Sequence, residues 1–180
     1  MSNEWYTADE HYWHKQIMEH CDRKLGSVKQ MHQTLVKKHN DVVGKKDTVW
    51  HIGDLSMLGP SRAFHIERVF EKLNGTHHLV LGNHDELKPF NYVKMGFASV
   101  HTAMWFDREG YTFVLAHDPS IYTVVQNMGE KTYQICGHIH NLFQHLLPEK
   151  RIINVGVDVW DYTPVSLETI LNLIKEHENG

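Results

Sequence analysis

The stretch Leu79-Val80-Leu81-Gly82-Asn83-His84-Asp85 constrains this chain more than any other. Its three apolar residues follow the turn-like pair Asn74-Gly75 and stop at Gly82, the pattern of a short buried strand. A neutral oxygen donor, an imidazole and a carboxylate then stand in a row. Side chains on the loop leaving a strand tip are held by a rigid scaffold, and α/β proteins place their chemistry there. Three more clusters have the same form: Asp9-Glu10-His11, Gly53-Asp54, and Gly137-His138-Ile139-His140.

The surrounding chain alternates short strands and helices. Strands are predicted at Glu4–Ala8, Thr48–Ile52, Lys131–Cys136 and Arg151–Val155. Ser99–Phe106 and Tyr111–Ala116 read as an antiparallel pair turned at Asp107-Arg108-Glu109-Gly110. A helix is predicted from about Trp13 to Cys21. A second, capped by Ser27, would bury Val28, Met31, Leu35 and Val42. A third opens at Pro60-Ser61, with Ala63, Ile66, Phe70 and Leu73 inward. Residues 86–95 read as a loop with one helical turn. A last helix, capped by Ser166, turns Leu167, Ile170, Leu171 and Ile174 inward. No repeat or domain boundary interrupts this order, so residues 1–180 are expected to form one domain.

Each cluster has its own chemistry. Positions i and i+2 of an extended segment share a side, so Asp9 and His11 can grip one cation while Glu10 points away. Asp54 carries two carboxylate oxygens and can bridge two metals. Asn83 offers an oxygen without charge, which leaves His84 free to act as an acid with Asp85 orienting its ring. His138 and His140 repeat the i, i+2 spacing, and His117 ends the Thr112–Ala116 strand. Cys136 shares parity with both histidines, which raises a structural zinc site as an alternative. No second cysteine lies nearby, and Cys136 reads more simply as a small apolar strand residue.

Composition closes off some classes of partner. The net charge of −4 gives no general attraction to nucleic acid or anionic membranes. The 2 cysteines do not make a disulfide framework, and no apolar run reaches the roughly 18 residues of a membrane span. Residues 1–20 carry charges and histidines where a signal peptide needs an apolar run, so the expected setting is cytoplasmic. The 16 histidines demand an explanation. His20, His32, His39, His65, His145 and His177 are expected in solvent. His77 and His78 are expected to be scaffold, and parity leaves His51 open.

The ordered set D-x-H, G-D, G-N-H-D, a lone His and G-H-x-H resembles the calcineurin-like metallophosphoesterase family. It is carried by Asp9 and His11, Gly53-Asp54, Gly82–Asp85, His117 and Gly137–His140. The flanking Trp50–Leu55, Leu73–Gly75 and Asn154–Asp158 resemble the small bacterial and phage members. The resemblance implies an α/β fold, a four-layer αββα sandwich of two mixed β-sheets flanked by helices. It also implies two divalent ions, Mn2+ first, with Fe or Zn as alternatives. Asp9, His11, Asp54 and His140 would hold one. Asp54 would bridge to the other, completed by Asn83, His117 and His138. The implied activity is phosphodiester or phosphomonoester hydrolysis by a water activated between the metals, with His84 as general acid and Asp85 behind it. Asn83 and His84 are assigned to the substrate phosphate, and His14, which completes D-x-H-x-x-H as in many small members, either to that phosphate or to a contact behind the ligands, with a helix-surface histidine as the alternative. Trp13 stands where small members often have glycine and is expected to narrow the mouth. Asp118 is expected either to orient His117 or to repel anionic substrates. The rival expectation is a non-catalytic metal-binding module that uses the same face for protein contacts. A homo-oligomer is neither indicated nor excluded.

Overall fold

The computed structural model describes residues 2–59, 61 and 64–179. Among these residues ten strands form two mixed five-stranded sheets. The first contains β1 (Glu4–Thr7), β2 (Thr48–Ile52), β3 (Thr76–Val80), β4 (Ser99–His101) and β10 (Val165–Ser166), in the order β10-β1-β2-β3-β4. Strands β1 to β4 run parallel, and β10 joins β1 antiparallel. The second contains β5 (Met104–Arg108), β6 (Tyr111–Leu115), β7 (Thr132–Cys136), β8 (Leu146–Leu147) and β9 (Ile152–Asn154), in the order β5-β6-β7-β9-β8.

Alternation along the strands divides the core in two. Tyr6, Ile52, Val80, Phe113, Leu115, Ile135 and Ile153 pack between the sheets. The other face of the first sheet carries Leu79, which packs with Met31 and Leu35 of α2 (Val28–Val42), Ile66 and Phe70 of α3 (Phe64–Phe70), and Tyr92 of α4 (Pro89–Lys94). On the second sheet, α5 (Tyr122–Asn127) lies against β7. The layers are therefore helix, sheet, sheet, helix. The last helix, α6 (Leu167–Asn179), inserts Ile170 and Ile174 into the core between the sheets, and the Ser166 hydroxyl accepts the Thr169 N–H at 3.1 Å.

Three expectations need correction. Ser99–Phe106 is not one strand: β4 pairs parallel with β3 in the first sheet, whereas β5 pairs antiparallel with β6 in the second. The chain changes sheets at Thr102-Ala103, a step that a continuous β-prone run does not signal. The helix expected at Trp13–Cys21 shrinks to α1 (Ile17–His20), because Trp13 has a left-handed φ of 65°. In α2 the buried stripe is Met31, Leu35 and His39, while Val42 is exposed. The predicted Pro60 start and Ala63 contact of the third helix lie outside the described residues.

Candidate metal centre

The loops leaving β1 and β2 run side by side beyond the strand ends. Asp9 N–H donates to the Gly53 carbonyl at 3.1 Å, His11 N–H to Asp54 at 3.0 Å and Tyr12 N–H to Leu55 at 2.9 Å. On the other side Val157 N–H donates to the Ala8 carbonyl. Backbone bonds therefore fix the course of the loops that carry these side chains. The packing leaves little room: a Cβ at Gly82 would stand 2.3 Å from Asp54 Oδ1, and one at Gly137 2.6 Å from the Ala8 Cβ. Five side chains that converge here have left-handed φ: Asp9 at 60°, His11 at 50°, Asp54 at 55°, His138 at 73° and His140 at 45°. Non-glycine residues hold that conformation only when the surroundings impose it, and such strain clusters at functional sites.

Two groups of ligand-type atoms result, each able to hold a metal: Asp9 with His11 and His140, and Asp54 with His117 and His138. Asp54 Oδ2 lies 3.3 Å from His117 Nε2 and 3.6 Å from His11 Nε2. Donors about 2.1 Å from a shared ion stand roughly 3.0–3.4 Å from each other, which is close to this spacing. Buried His11 Nε2 has no hydrogen-bond partner among the described residues, and an orphaned polar atom at such a place asks for one. Asn83 Oδ1 closes the second group at 3.2 Å from His117 Nε2 and 2.9 Å from His138 Nδ1. Oxygen and imidazole donors around shared spaces fit divalent cations.

Second contacts present the ligand atoms. The Ile52 carbonyl accepts from His117 Nδ1 at 2.8 Å, which leaves Nε2 free to ligate. Asp158 Oδ2 lies 2.8 Å from His140 Nδ1 and does the same for that ring. Buried Arg23 pairs with both Asp158 oxygens, at 2.6 and 2.9 Å, and donates to the carbonyls of Asp9 and Glu10 at 2.7 and 3.0 Å. A further group of Cys21, His140 and Asp158 could hold an ion, but both Asp158 oxygens already accept hydrogen bonds.

The charges without metal follow from this geometry. Burial pulls His117 down, but the Asp54 hydrogen bond and the Asp9 and Asp54 charges lift it to about 9. Burial likewise opposes protonation of His140, and the Asp158 hydrogen bond overrides it, to about 10. Burial raises Asp9 to about 6 and lowers His11 to about 3. Burial works against ionised Asp54 as well, yet the His117 hydrogen bond and charge hold it at about 2.

His84 stands beside both groups without joining either. Its N–H donates to Asp54 Oδ1 at 2.9 Å, its Nε2 stays 3.9 Å from Asp54 Oδ2, and its side chain is 39% exposed. His14 Nδ1 lies 3.2 Å from His11 Nδ1, with its ring 6.2 Å from that of His84. Asp85 departs from expectation. Its buried carboxylate accepts the N–H groups of Gly82 and Asp54 at 2.8 Å each and of Leu55 at 3.1 Å. It braces the loops and does not orient the His84 ring. Asp118 is spent on the Ser120 N–H at 2.8 Å and does not orient His117. Cys136 is buried within β7 and belongs to no ligand group among the described residues.

Not every histidine expected in solvent is there. His39 is buried with its Nε2 2.8 Å from the Asn74 carbonyl, and half-buried His32 accepts the Trp13 N–H. His51 faces the helix layer, where its Nδ1 meets the Glu10 carboxylate at 2.6 Å and its Nε2 meets His77 Nδ1 at 3.1 Å. Glu10 does point away from the centre. Arg23 was missed, because Asp22-Arg23-Lys24 has no local mark of a buried cation. Asp158 had a signal in the Asn154–Asp158 stretch, but nothing there assigned it a contact.

The chain matches the model of the calcineurin-like phosphoesterase superfamily domain over residues 23–168. It is 33% identical to an uncharacterized protein of Methanocaldococcus jannaschii, with 94% of this chain and 89% of that protein covered. It is 34% identical to the Gene 66 protein of Mycobacterium phage L5, with 99% of this chain and 97% of that protein covered. Among solved structures, a protein of unknown function from Aquifex aeolicus superposes with a TM-score of 0.73 at 22% identity, over 97% of this chain and all of that one. An archaeal phosphodiesterase superposes with a TM-score of 0.53 at 18% identity, over 86% and 83%. Among the described residues no helix is long and apolar enough to cross a membrane.

Proposed function

We propose, from the premise that this chain belongs to the calcineurin-like phosphoesterase superfamily, that it is a metal-dependent phosphoric ester hydrolase. Asp9, His11, Asp54 and His140 would hold one divalent cation; Asp54, Asn83, His117 and His138 would hold the other. The observation that supports this best is Asp54 Oδ2, a single buried oxygen standing 3.6 Å from His11 Nε2 and 3.3 Å from His117 Nε2. The donor set, nitrogen and oxygen without thiolate, suits Mn2+, and also Fe or Zn. The cations would supply Lewis acidity toward phosphoryl oxygens and toward an attacking water.

The remaining chemistry belongs to the chain. Asn83 completes its group without a charge, so two carboxylates would face two dications and leave a loaded site attractive to phosphate. His84, tied by its backbone to Asp54 and open to solvent by its ring, protonates the leaving oxygen. His14, one imidazole away, binds a phosphoryl oxygen. Asp85 keeps the Gly53-Asp54 and Gly82-Asn83 loops in register from behind.

Metal analysis of the purified chain, with hydrolysis of bis(p-nitrophenyl) phosphate and p-nitrophenyl phosphate before and after chelation, tests this reading. We expect two ions per chain, hydrolysis of at least one ester only when they are present, and loss of both ions in Asp54→Ala. A loaded chain that cleaves neither ester overturns it, as does one tight ion indifferent to Asp54.

A further inference from the structure

A cleft of about 610 Å³ opens between α2 and α3, outside the metal centre. Lys29, Lys37, Arg68 and Lys72 line it with no carboxylate in its own wall, although the whole chain carries a net charge of −4; Glu67 and Glu71 border the adjoining hollow that Arg68 and Lys72 also line. Lys37 is paired with Asp41, whereas Lys29, Arg68 and Lys72 form no ion pair among the described residues. Cations gathered around one concavity repel each other, and an anion placed there relieves the repulsion. Arginine matches the geometry of phosphate oxygens in particular.

Trp13, Val28, Val36 and Val69 give the rest of the wall an apolar part, beside His32, Gln33 and His65. Trp13 lies against His32 and His65, with ring centroids 4.6 and 5.8 Å away, and Val36 and Val69 extend the surface. His32 Nε2 accepts the Trp13 N–H at 2.8 Å, so the neutral His32 ring carries its proton on Nδ1. That Nδ1–H has no protein acceptor among the described residues. Consecutive residues serve the cleft and the centre. Trp13 is held at φ 65°, and the next residue, His14, places its imidazole 3.2 Å from that of His11. Trp13 thus offers the cleft a large aromatic surface, and bases stack on such surfaces.

We propose that this cleft is a second subsite. It binds the base and a second phosphate of a nucleotide-type ester whose scissile phosphate lies at the metal centre, and so rests on the esterase reading. The base lies on Trp13, and Arg68 and Lys72 hold the phosphate.

Calorimetric titration of the full chain with adenosine 3′,5′-bisphosphate, in chelator so that no turnover occurs, tests the subsite apart from the esterase activity. Arg68→Ala/Lys72→Ala is expected to weaken binding by about 10-fold or more, as charge-assisted contacts to phosphate do. Lys46→Ala/Lys175→Ala, the same change in net charge at exposed positions elsewhere, is the control and should stay within about twofold. Trp13→Leu should weaken the bisphosphate but not inorganic phosphate, by about 5-fold or more if a base is stacked there. Inorganic phosphate binding as tightly as the bisphosphate would remove the base from the subsite. Equal losses in the two charge variants, or none in either, would overturn the proposal outright. If the loaded enzyme cleaves esters, Arg68→Ala/Lys72→Ala should also lower the ratio of kcat/KM for a 5′-phosphorylated dinucleotide to that for bis(p-nitrophenyl) phosphate by about the same factor. An unchanged ratio counts against it.

Discussion

Asp158 Oδ2 stands 2.8 Å from His140 Nδ1 while the same carboxylate is gripped by Arg23 at 2.6 and 2.9 Å. One buried anion therefore sets the tautomer of an expected metal ligand and neutralises a buried guanidinium. Arg23 also holds the carbonyls of Asp9 and Glu10, so the first ligand cluster is tied to the fourth through a single ion pair.

Asp158→Asn keeps the shape and an acceptor but removes the charge that supports His140. Outer contacts of this kind typically change metal affinity by about 10- to 100-fold. We expect that loss for the Asp9–His11–His140 ion and a smaller one for the ion at His117 and His138. A metal titration that resolves the two steps checks it; equal weakening of both would mean that the change acts through the whole fold. Arg23→Met should be more damaging to folding than to selectivity between the ions, because it leaves the buried Asp158 carboxylate with His140 as its one remaining side-chain partner among the described residues.

Metal uptake should release protons. Without metal, His117 titrates at about 9, because burial is outweighed by the Asp54 hydrogen bond, and His140 at about 10 through Asp158. At pH 7.5 both rings are imidazolium, and a ligating ring must be neutral. Filling both groups should therefore expel about two protons from these rings, and affinity should rise as the pH climbs toward 9. Calorimetry in buffers of different ionisation enthalpy counts the protons. A count near zero would mean that these rings do not ligate.

The histidines behind the first sheet give stability a pH slope. Burial lowers His39 to about 4, His51 to about 3 and His77 to about 2. Burial raises Glu10, which touches His51, to about 7. For a lowered histidine the unfolded chain takes up the proton first, so its contribution is complete above about pH 6.5 and falls as the pH drops below that. Glu10 works the opposite way, and its stabilisation is lost as the pH rises through 7. His39→Gln retains a donor for the Asn74 carbonyl and removes one titrating ring. Its stability should decline less steeply from pH 6.5 to 4.5, by about 1.4 kcal/mol per pH unit, the weight of one proton. Denaturant unfolding of both proteins across that range measures the difference, and identical slopes would exclude His39 as a contributor.

These contrasts mark where sequence and structure part company. Thr48–Ile52 was readable because β-branched and aromatic residues, a turn before and Gly53 after all agree. The ligand-type side chains were readable because they end strands, and the parallel order of β1, β2 and β3 brings strand ends of one direction to one edge. The break inside Ser99–Phe106 was not readable, since both halves favour strand and only the second sheet decides where the chain goes. Asp85 misled because its neighbour in sequence is His84, while its partners in space are the backbone N–H groups of Gly82, Asp54 and Leu55. Arg23 left no trace because its burial depends on Asp158, 135 residues away.

The proposed role of His84 separates proton transfer from metal holding. Its ring is half-open to solvent, and its Nε2 lies 3.9 Å from Asp54 Oδ2, farther than either His11 or His117 Nε2. His84→Ala should therefore retain both metals. A nitrophenolate departs with little need of a proton, whereas an alkoxide needs one as the bond breaks. The variant should lose about 10²–10⁴-fold in kcat on an alkyl ester, the usual contribution of a general acid, and much less on a nitrophenyl ester with the same phosphoryl centre. His138→Ala, which strikes the second ligand group, should harm both esters alike. Because the His84 N–H still donates to Asp54 Oδ1 after truncation, a change in metal content would point to a loop displaced as a whole. Equal losses on the two esters, with both metals retained and chemistry limiting the rate, would take the acid role away from His84.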